Sequence, residues 1–120
     1  MANGGEVWGV VGYRNFSDHA VFSAGLEATI AQYGAPSRVV SGGATGADAM
    51  AKRWAAERGI PFTEHLPKAY TAQGLLARNT LIANDCTILV AFPSTESRGT
   101  FDTIRKAQAS GKKVVILKID

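Results

Sequence analysis

The sequence predicts a single α/β domain, a doubly wound, Rossmann-like parallel sheet of five strands with helices on both faces. Two observations support this prediction: short apolar runs alternate with amphipathic stretches along the whole chain, and polar, glycine-rich loops follow several of the runs. No repeat, low-complexity tract or charge block divides the 120 residues, so we expect one domain over 1–120, with 1–5 as a flexible tail. Right-handed crossovers then give the expected strand order 3-2-1-4-5.

The first three predicted elements are a strand, a helix and a strand. Residues 7–11 form a short apolar run that ends at Gly12, which is typical of a strand. Residues 18–33 carry apolar side chains at helical spacing, and a glycine and a proline shortly afterwards end this helix. Residues 38–40 predict the second strand, which breaks at a serine followed by two glycines.

The second helix has the clearest apolar pattern in the chain. Every position of the i, i+3, i+4, i+7, i+8 template is apolar: Ala47, Met50, Ala51, Trp54 and Ala55. Thr45 and Asp48 have the spacing of a capping box, with Asp in place of the commoner Glu. Gly59 stops the helix, and residues 60–64 predict a short third strand. The proline in this segment indicates either that the strand lies at a sheet edge or that it begins only at Phe62.

The last four predicted elements alternate between helix and strand. The stripe of the third helix comprises Ala72, Leu75, Leu76, Asn79, Ile82 and Ala83. Residues 86–92 are almost continuously apolar, as expected for a central parallel strand that is covered on both faces. A polar loop over 93–99 precedes the last helix, whose apolar stripe includes Phe101, and residues 114–117 predict the final strand.

Composition and charge limit the possible functions. Apolar residues make up 46% of the chain and charged residues 19%, which is typical of a globular protein and excludes a disordered or coiled-coil chain. No apolar run approaches the roughly 20 residues of a membrane helix, no secretory signal is recognisable, and the lone Cys86 fits a reducing compartment, so we expect a cytoplasmic protein without membrane contact. The net charge of +3 makes nucleic acid an unlikely partner and fits a small anionic ligand better.

Three loops are expected to meet beyond the carboxyl ends of the strands, where open parallel sheets bind ligands: 12–15, 41–48 and 93–100. In the middle loop, glycines allow close backbone approach to a ligand, and the first N–H groups of the next helix point at it. A phosphate fits this geometry, with the hydroxyls of Ser41 and Thr45 as further donors. The alternative is a turn that only packs the helix against the sheet, and the glycines alone favour neither interpretation.

Several polar side chains could complete such a site. Tyr13 offers a face for a base and Arg14 a planar fork for a phosphate, although taken alone they indicate only a tight turn with an exposed arginine. Arg78 borders the third helical stripe and Asn79 lies in it, which indicates a polar crevice or a partner, the alternative being an arginine that reaches solvent. Asp102 is either a favourable first-turn acid or a catalytic group.

Glu64 ends the third predicted strand. Its separation in sequence from Gly43 is similar to that between the glycine-rich loop of dinucleotide-binding folds and the acid that binds the ribose hydroxyls. A solvated strand end explains it equally well. The two histidines have no Cys or carboxylate cluster at ligand spacing, so we expect no metal site and no required cofactor beyond a nucleotide-type ligand.

The motifs together are Gly-Tyr-Arg after the first strand, Ser-Gly-Gly-Ala-Thr-Gly-Ala-Asp, Arg-Asn in a helix, and Phe-Pro followed later by Gly-Thr. In this order, over about residues 7–117, they resemble the SLOG superfamily (Smf/DprA-LOG), and in particular its small stand-alone YspA/YpsA-related members of bacteria and phages. The resemblance implies a LOG-like, Rossmannoid nucleotide-binding domain. The motifs and the loop chemistry together give these candidate ligand-binding residues: Gly12, Tyr13, Arg14, Ser41, Gly42, Gly43, Thr45, Gly46, Asp48, Arg78, Asn79, Pro93, Ser94, Arg98, Gly99 and Thr100.

The resemblance also implies a possible reaction. LOG enzymes hydrolyse the N-glycosidic bond of nucleoside 5′-monophosphates with an arginine and a glutamate, the latter in a Pro-Gly-Gly-x-Gly-Thr-x-x-Glu motif. Here a longer polar loop replaces the two glycines after the proline, Thr103 stands at the glutamate position, and Asp102 precedes it by one residue, about 100° around a helix. This departure favours a nucleotide sensor or carrier. For an enzyme, the catalytic candidates are Arg78, Asp102 and Glu96.

Two further expectations concern partners. DprA-like binding of single-stranded DNA is a second alternative function, which the low net charge disfavours. Because LOG-like proteins are often dimers, the resemblance also implies a homodimer or a higher homo-oligomer.

Overall fold

Strands and helices alternate along the chain in the computed structural model, which describes residues 6–95 and 97–118. The strands are β1 (Val7–Gly12), β2 (Arg38–Ser41), β3 (Phe62–Glu64), β4 (Ile88–Phe92) and β5 (Lys113–Ile116). The helices are α1 (His19–Tyr33), α2 (Ala47–Glu57), α3 (Ala72–Asp85) and α4 (Arg98–Ala109). All strand pairs are parallel and their order is β3-β2-β1-β4-β5, which confirms the predicted 3-2-1-4-5 sheet.

The core forms two layers, one on each face of the sheet. On one face, Phe22 of α1 and Trp54 of α2 pack against Trp8 and Val10 of β1, with the two indole rings stacked at 6.0 Å. On the other face, α3 and α4 pack against the alternate strand residues, which include Val11 of β1. Successive β1 residues therefore point to opposite faces, and the prediction of helices on both faces is confirmed.

The strongest sequence patterns predict burial correctly. All five apolar residues of the α2 stripe are buried. They occupy every position of the helical template, and this complete match predicts one continuous buried face. Every residue of β4 is also buried, as expected for the strand between β1 and β5. None of the described helices is long and apolar enough to cross a membrane.

The capping box predicted at the start of α2 is wrong. The N-cap is Gly46, whose φ of 73° turns the chain sharply before the helix begins. Since the helix starts one residue later than the box requires, the Thr45 hydroxyl donates to the carbonyl oxygen of Arg14 at 3.0 Å. The carboxylate of Asp48 instead accepts the N–H of Ala44 at 3.2 Å.

Three other local predictions need correction. Cys86, predicted to open the fourth strand, is the C-cap of α3, where its N–H donates to the carbonyl of Ile82, and β4 starts at Ile88. Leu76 and Phe101, predicted in buried stripes, are 46% and 39% exposed, because the faces of α3 and α4 that meet the sheet are narrower than their apolar patterns. The last helix begins at Arg98, inside the predicted 93–99 loop.

Candidate functional site

A cavity of about 410 Å³ lies beyond the carboxyl end of β1, between the first turns of α2 and α4. This is the point at which the strand order reverses, since β1 lies between β2 and β4. The predicted ligand residues that line it are Gly12, Tyr13, Arg14, Asp48, Arg78, Asn79, Arg98, Gly99 and Thr100. The structure therefore brings parts of all three predicted loops and the helical Arg-Asn pair to one cavity.

The first loop enters the cavity through a tight turn. The Tyr13 N–H donates to the carbonyl of Phe92 at 3.0 Å, and the Tyr13 carbonyl accepts the N–H of Phe16 at 3.1 Å. A Cβ on Gly12 would lie only 2.6 Å from Cβ of Ala47 and 2.8 Å from the carbonyl oxygen of Phe92, so β1 can approach α2 and β4 this closely only with glycine. Arg14 follows, exposed at the rim, with no ion-pair partner among the residues described.

The glycine-rich loop is followed by a buried carboxyl group, that of Asp48. Asp48 is 6% exposed, and its Oδ2 accepts the N–H of Ala44 within the same loop. Burial raises the pKa of the Asp48 carboxyl, although the Ala44 N–H and the charge of Arg78 oppose this effect. The Ala44 N–H of this turn therefore already has an acceptor within the protein.

Packing accounts for the other predicted residues of this loop, which do not line the cavity. Side chains on Gly42 and Gly43 would collide with Arg78 and with Glu64, respectively, and one on Gly46 would collide with the backbone of the first loop. The Ser41 hydroxyl is buried and donates to the carbonyl of Val10 at 2.6 Å. The hydroxyls of Ser41 and Thr45 are thus engaged within the protein.

The start of α4 presents free backbone donors to the cavity. The N-cap Ser97 makes no capping bond, because its Oγ accepts the N–H of Ser94 at 2.8 Å instead. The first bond of the helix runs from the N–H of Phe101 to the carbonyl of Ser97. Among the described residues, the N–H groups of Gly99 and Thr100 have no acceptor, and both residues line the cavity.

Arg78 and Asn79 connect the two loops across the cavity wall. Nη1 of Arg78 donates to the carbonyl of Gly42, and its Nε donates to Oδ1 of Asn79 at 3.1 Å. Nδ2 of Asn79 in turn donates to the carbonyl of Gly99 at 3.3 Å and to Oδ2 of Asp102 at 3.2 Å. This hydrogen-bonded chain fixes the glycine-rich loop relative to the first turn of α4.

The cavity also contains residues that the sequence pattern did not select: Val11, Asn15, Ala44, Ile82, Ser97 and Thr103. The positions of Ser97 and Thr103 in the cavity wall follow from where α4 begins, so a correct prediction of the helix start would have identified both residues. Pro93 and Ser94, both predicted, do not line the cavity, and Glu96 lies outside the described residues.

Comparison with known proteins identifies the family. Residues 9–70, more than half of the chain, match the family described as "YspA, cpYpsA-related SLOG family" (YAcAr). The chain belongs to this SLOG family. The resemblance predicted from the motifs is confirmed, and no curated protein matches the sequence closely enough to serve as a relative.

Two solved structures share the fold of this SLOG domain. The first is the X-ray structure of DNA processing protein A (DprA) from Streptococcus pneumoniae, with a TM-score of 0.75 and 20% identity over 92% of this chain and 50% of the DprA chain. The second is the X-ray structure of TM1055, with a TM-score of 0.67 and 22% identity over 91% of this chain and 72% of that chain. The SLOG domain therefore spans half the length of the DprA it matches.

Asp102, a catalytic candidate of the hydrolase alternative, lies in the wall of a different cavity. This second cavity, of about 620 Å³, lies between α3 and α4. The carboxylate of Asp102 accepts hydrogen bonds from Asn79 and Arg105 and pairs with Lys106 at 2.8 Å. Burial would raise the pKa of Asp102, but Lys106, Asn79 and Arg105 outweigh it and lower the pKa, so this carboxylate holds no proton to donate near neutral pH.

Asp48 is consequently the only carboxylate among the described residues that line the first cavity. Glu64, the acid considered for ribose binding, pairs with Lys52 at 3.4 Å and does not line the cavity. No group of three or more His, Cys, Asp and Glu side chains that could hold a metal occurs within 6–95 and 97–118.

Proposed function

We propose that this SLOG domain binds a nucleotide or a nucleotide-derived ligand, as a sensor or carrier, with the ligand phosphate at the start of α4. The observation that supports this most directly is that three arginines, Arg14, Arg78 and Arg98, line the same cavity as the uncapped first turn of α4. Guanidinium groups and free helical N–H groups are the donors that phosphates meet in proteins.

The location at α4 follows from the position of Asp48. Its carboxylate faces the amide groups of the glycine-rich loop, so a second anion there would meet like charge. The N–H groups of Gly99 and Thr100 have no acceptor among the described residues, and Arg98 adds its charge in the same helical turn. The phosphate is therefore assigned to α4, and the glycine-rich loop forms the opposite wall.

Size and shape also favour a small ligand. The cavity of about 410 Å³ lies within the range of ordinary small-molecule sites, about 300–1,000 Å³. Tyr13 lines the cavity, half-buried against the core, and is the aromatic side chain that we propose to stack on a base or ribose. The proposal requires neither a metal nor a further cofactor.

Calorimetry with AMP, GMP, CMP, UMP and ADP-ribose tests the proposal. Arg98→Gln is compared with Arg53→Gln, which makes the same charge change on an exposed α2 side chain whose ion-pair partner among the described residues is Glu57. We expect Arg98→Gln to weaken binding about tenfold or more, since a charge-assisted hydrogen bond contributes about 1.5–3 kcal/mol, and Arg53→Gln to leave it unchanged. No binding by the wild-type protein, or equal affinities in all three proteins, would overturn the proposal.

The LOG-like hydrolase is the alternative, and it receives less support. Thr103 stands in the cavity wall at the position of the LOG glutamate, and Asp102 lies in the other cavity. Purified protein incubated with the four nucleoside monophosphates is expected to release no free base. Release of base that depends on Arg78 would establish the hydrolase instead.

DprA-like binding of single-stranded DNA is the second alternative, and the net charge of +3 gives it little electrostatic support. Salt-dependent gel shifts with an oligonucleotide would establish it. The homodimer or higher homo-oligomer remains a prediction, and sedimentation velocity with and without nucleotide tests it.

A further inference from the structure

We propose that Asp48 selects ribonucleotides over deoxyribonucleotides by accepting a hydrogen bond from a hydroxyl of the ribose. The inference rests on the nucleotide-binding function proposed above and deepens it, because it names the sugar that the site takes. It starts from one feature that phosphate binding does not use: a buried carboxylate in the wall of a cavity that also contains three arginines.

The carboxylate is held rigidly. Asp48 lies in the first turn of α2, and its Oδ2 accepts the N–H of Ala44 at 3.2 Å. A side chain on Gly42 would approach Oδ2 to 3.0 Å, so the loop closes tightly around one side of the carboxyl group. An ionised carboxylate has about four lone-pair sites. The Ala44 N–H fills one of them, and the Ser41 side chain and the Gly42 backbone also hydrogen-bond to this carboxyl group, which leaves about one site for a ligand. The cavity side of Asp48 therefore has acceptor capacity for a ligand.

The sign of this charge limits which part of a nucleotide can lie beside it. A carboxylate repels phosphate, which the free N–H groups of α4 and Arg98 attract to the other side of the cavity. Arg78, which lies beside the same carboxyl group, offsets part of this repulsion. We expect the part of the ligand next to Asp48 to bring uncharged hydrogen-bond donors. Ribose hydroxyls meet this requirement in every ribonucleotide, whichever base it carries.

The sequence position of an acid after β3 suggested Glu64 for this role, and the fold places it elsewhere. Glu64 lies at the edge strand, in an ion pair with Lys52 and against Gly43. Asp48 lies at the strand-order reversal, in the cavity wall. Among the carboxylates that the structure describes, Asp48 alone lines this cavity.

The test compares Asp48→Asn with the wild-type protein. Asparagine keeps an oxygen for the Ala44 N–H but replaces the second carboxylate oxygen with an amide NH₂. The matched control is Asp18→Asn, the same change at the N-cap of α1, where asparagine caps equally well. The probes are AMP, GMP, CMP and UMP, each with its 2′-deoxy and 3′-deoxy form, measured by calorimetry.

We expect wild type and Asp18→Asn to bind ribonucleotides about tenfold more tightly than at least one deoxy form, and Asp48→Asn to reduce this ratio to about threefold or less. Equal binding of ribo and deoxy forms by the wild-type protein would overturn the inference and leave the proposed function intact. The same holds if Asp48→Asn retains the full ratio, or if its losses follow the base rather than the sugar.

Two outcomes remain. If the wild-type protein binds no monophosphate, both the proposed function and this inference fail together. If Asp48→Asn does not fold, the ratio measured on the wild-type protein still decides whether the site distinguishes the sugars, and Asp48→Glu, which keeps the carboxylate, is expected to retain part of that ratio.

Discussion

Nε of Arg78 donates a 3.1 Å hydrogen bond to Oδ1 of Asn79, its neighbour in sequence. Arg78 also donates to the carbonyl of Gly42, and Asn79 donates to the carbonyl of Gly99. The bond between the two side chains therefore connects the loop before α2 to the start of α4. The helical Arg-Asn motif therefore has a structural function besides any contact with a ligand. It sets the width of the cavity.

Asn79→Asp is expected to destabilise the protein by about 1–3 kcal/mol near neutral pH. The new carboxylate can still accept from Arg78, but it cannot donate to Gly99 or to Asp102, and it places a second negative charge beside Asp102. Asn84→Asp, the same change at an exposed position of α3, is the control. Urea denaturation measures both, and equal midpoints for the two variants would contradict the connecting role of Asn79.

Gly12→Ala and Gly99→Ala are expected to behave in opposite ways, although both glycines line the cavity. The methyl group at residue 12 would meet Ala47 and the carbonyl of Phe92 at 2.6 and 2.8 Å, which predicts a loss of about 1–3 kcal/mol. At residue 99 the nearest atom, Nδ2 of Asn79, is 3.9 Å away, so this variant should unfold at the wild-type temperature or slightly above it. Thermal denaturation measures both variants, and an unfolding temperature of Gly99→Ala below that of Gly12→Ala would contradict this account.

Gly99→Val is expected to preserve the fold and to weaken nucleotide binding at least tenfold. Its Cβ enters open space next to the free N–H groups of the first turn of α4, where the phosphate is proposed to lie. Calorimetry with the tightest-binding monophosphate measures the affinity, and circular dichroism checks the fold. A folded variant with wild-type affinity would place the phosphate elsewhere.

The acid stability of the protein is expected to depend on Asp85. Hydrogen bonds from Arg38 at 2.7 and 3.1 Å lower the pKa of this carboxyl from 3.8 to about 2, with His65 contributing at 2.8 Å. Because the unfolded chain takes up this proton at a higher pH than the folded one, the stabilisation is complete above about pH 4 and is lost as the pH falls towards 2.

The size of this effect is about 2 kcal/mol, since Asp85 is 26% exposed and solvent screens it only in part. Asp85→Asn is therefore expected to be less stable than wild type at pH 6, with the difference shrinking between pH 4 and pH 2. Denaturant titrations across this range measure the difference. A constant difference between the two proteins would show that the Arg38 pair does not control this titration.

The sequence predicted the sheet order, the buried stripe of α2 and the convergence of the loops. Periodicity and strand-helix alternation are local signals that the fold retains, and Ala47 to Ala55 illustrate this. The apolar patterns of α3 and α4 were less informative, because an apolar residue at a stripe edge, such as Leu76 or Phe101, is buried only if another element covers it. Nothing in the local sequence states which flank is covered.

The position of the proposed anion site within the cavity could not be predicted from the sequence. The glycines of the 41–48 loop had two interpretations, and the contacts around Gly42 and Gly46 favour close packing. The Asp48 carboxylate accepts the N–H of Ala44, and the Ser97 hydroxyl accepts the N–H of Ser94, which leaves α4 without a side-chain cap. Both contacts depend on how the loops fold, which the local sequence does not specify. Asp102, a catalytic candidate of the hydrolase alternative, lies in the wall of the second cavity, whereas Thr103, one residue of helical rotation later, lines the first.

The most direct test of the anion site is an amide ¹⁵N–¹H NMR titration of the wild-type protein with a nucleoside 5′-monophosphate. The N–H groups of Gly99 and Thr100 are expected to shift most, with smaller changes at Ala44, because the phosphate is proposed to bind at the first turn of α4. Shifts concentrated in residues 42–45, or no shift at Gly99 and Thr100 at saturating nucleotide, would contradict the assignment of the phosphate to this helix.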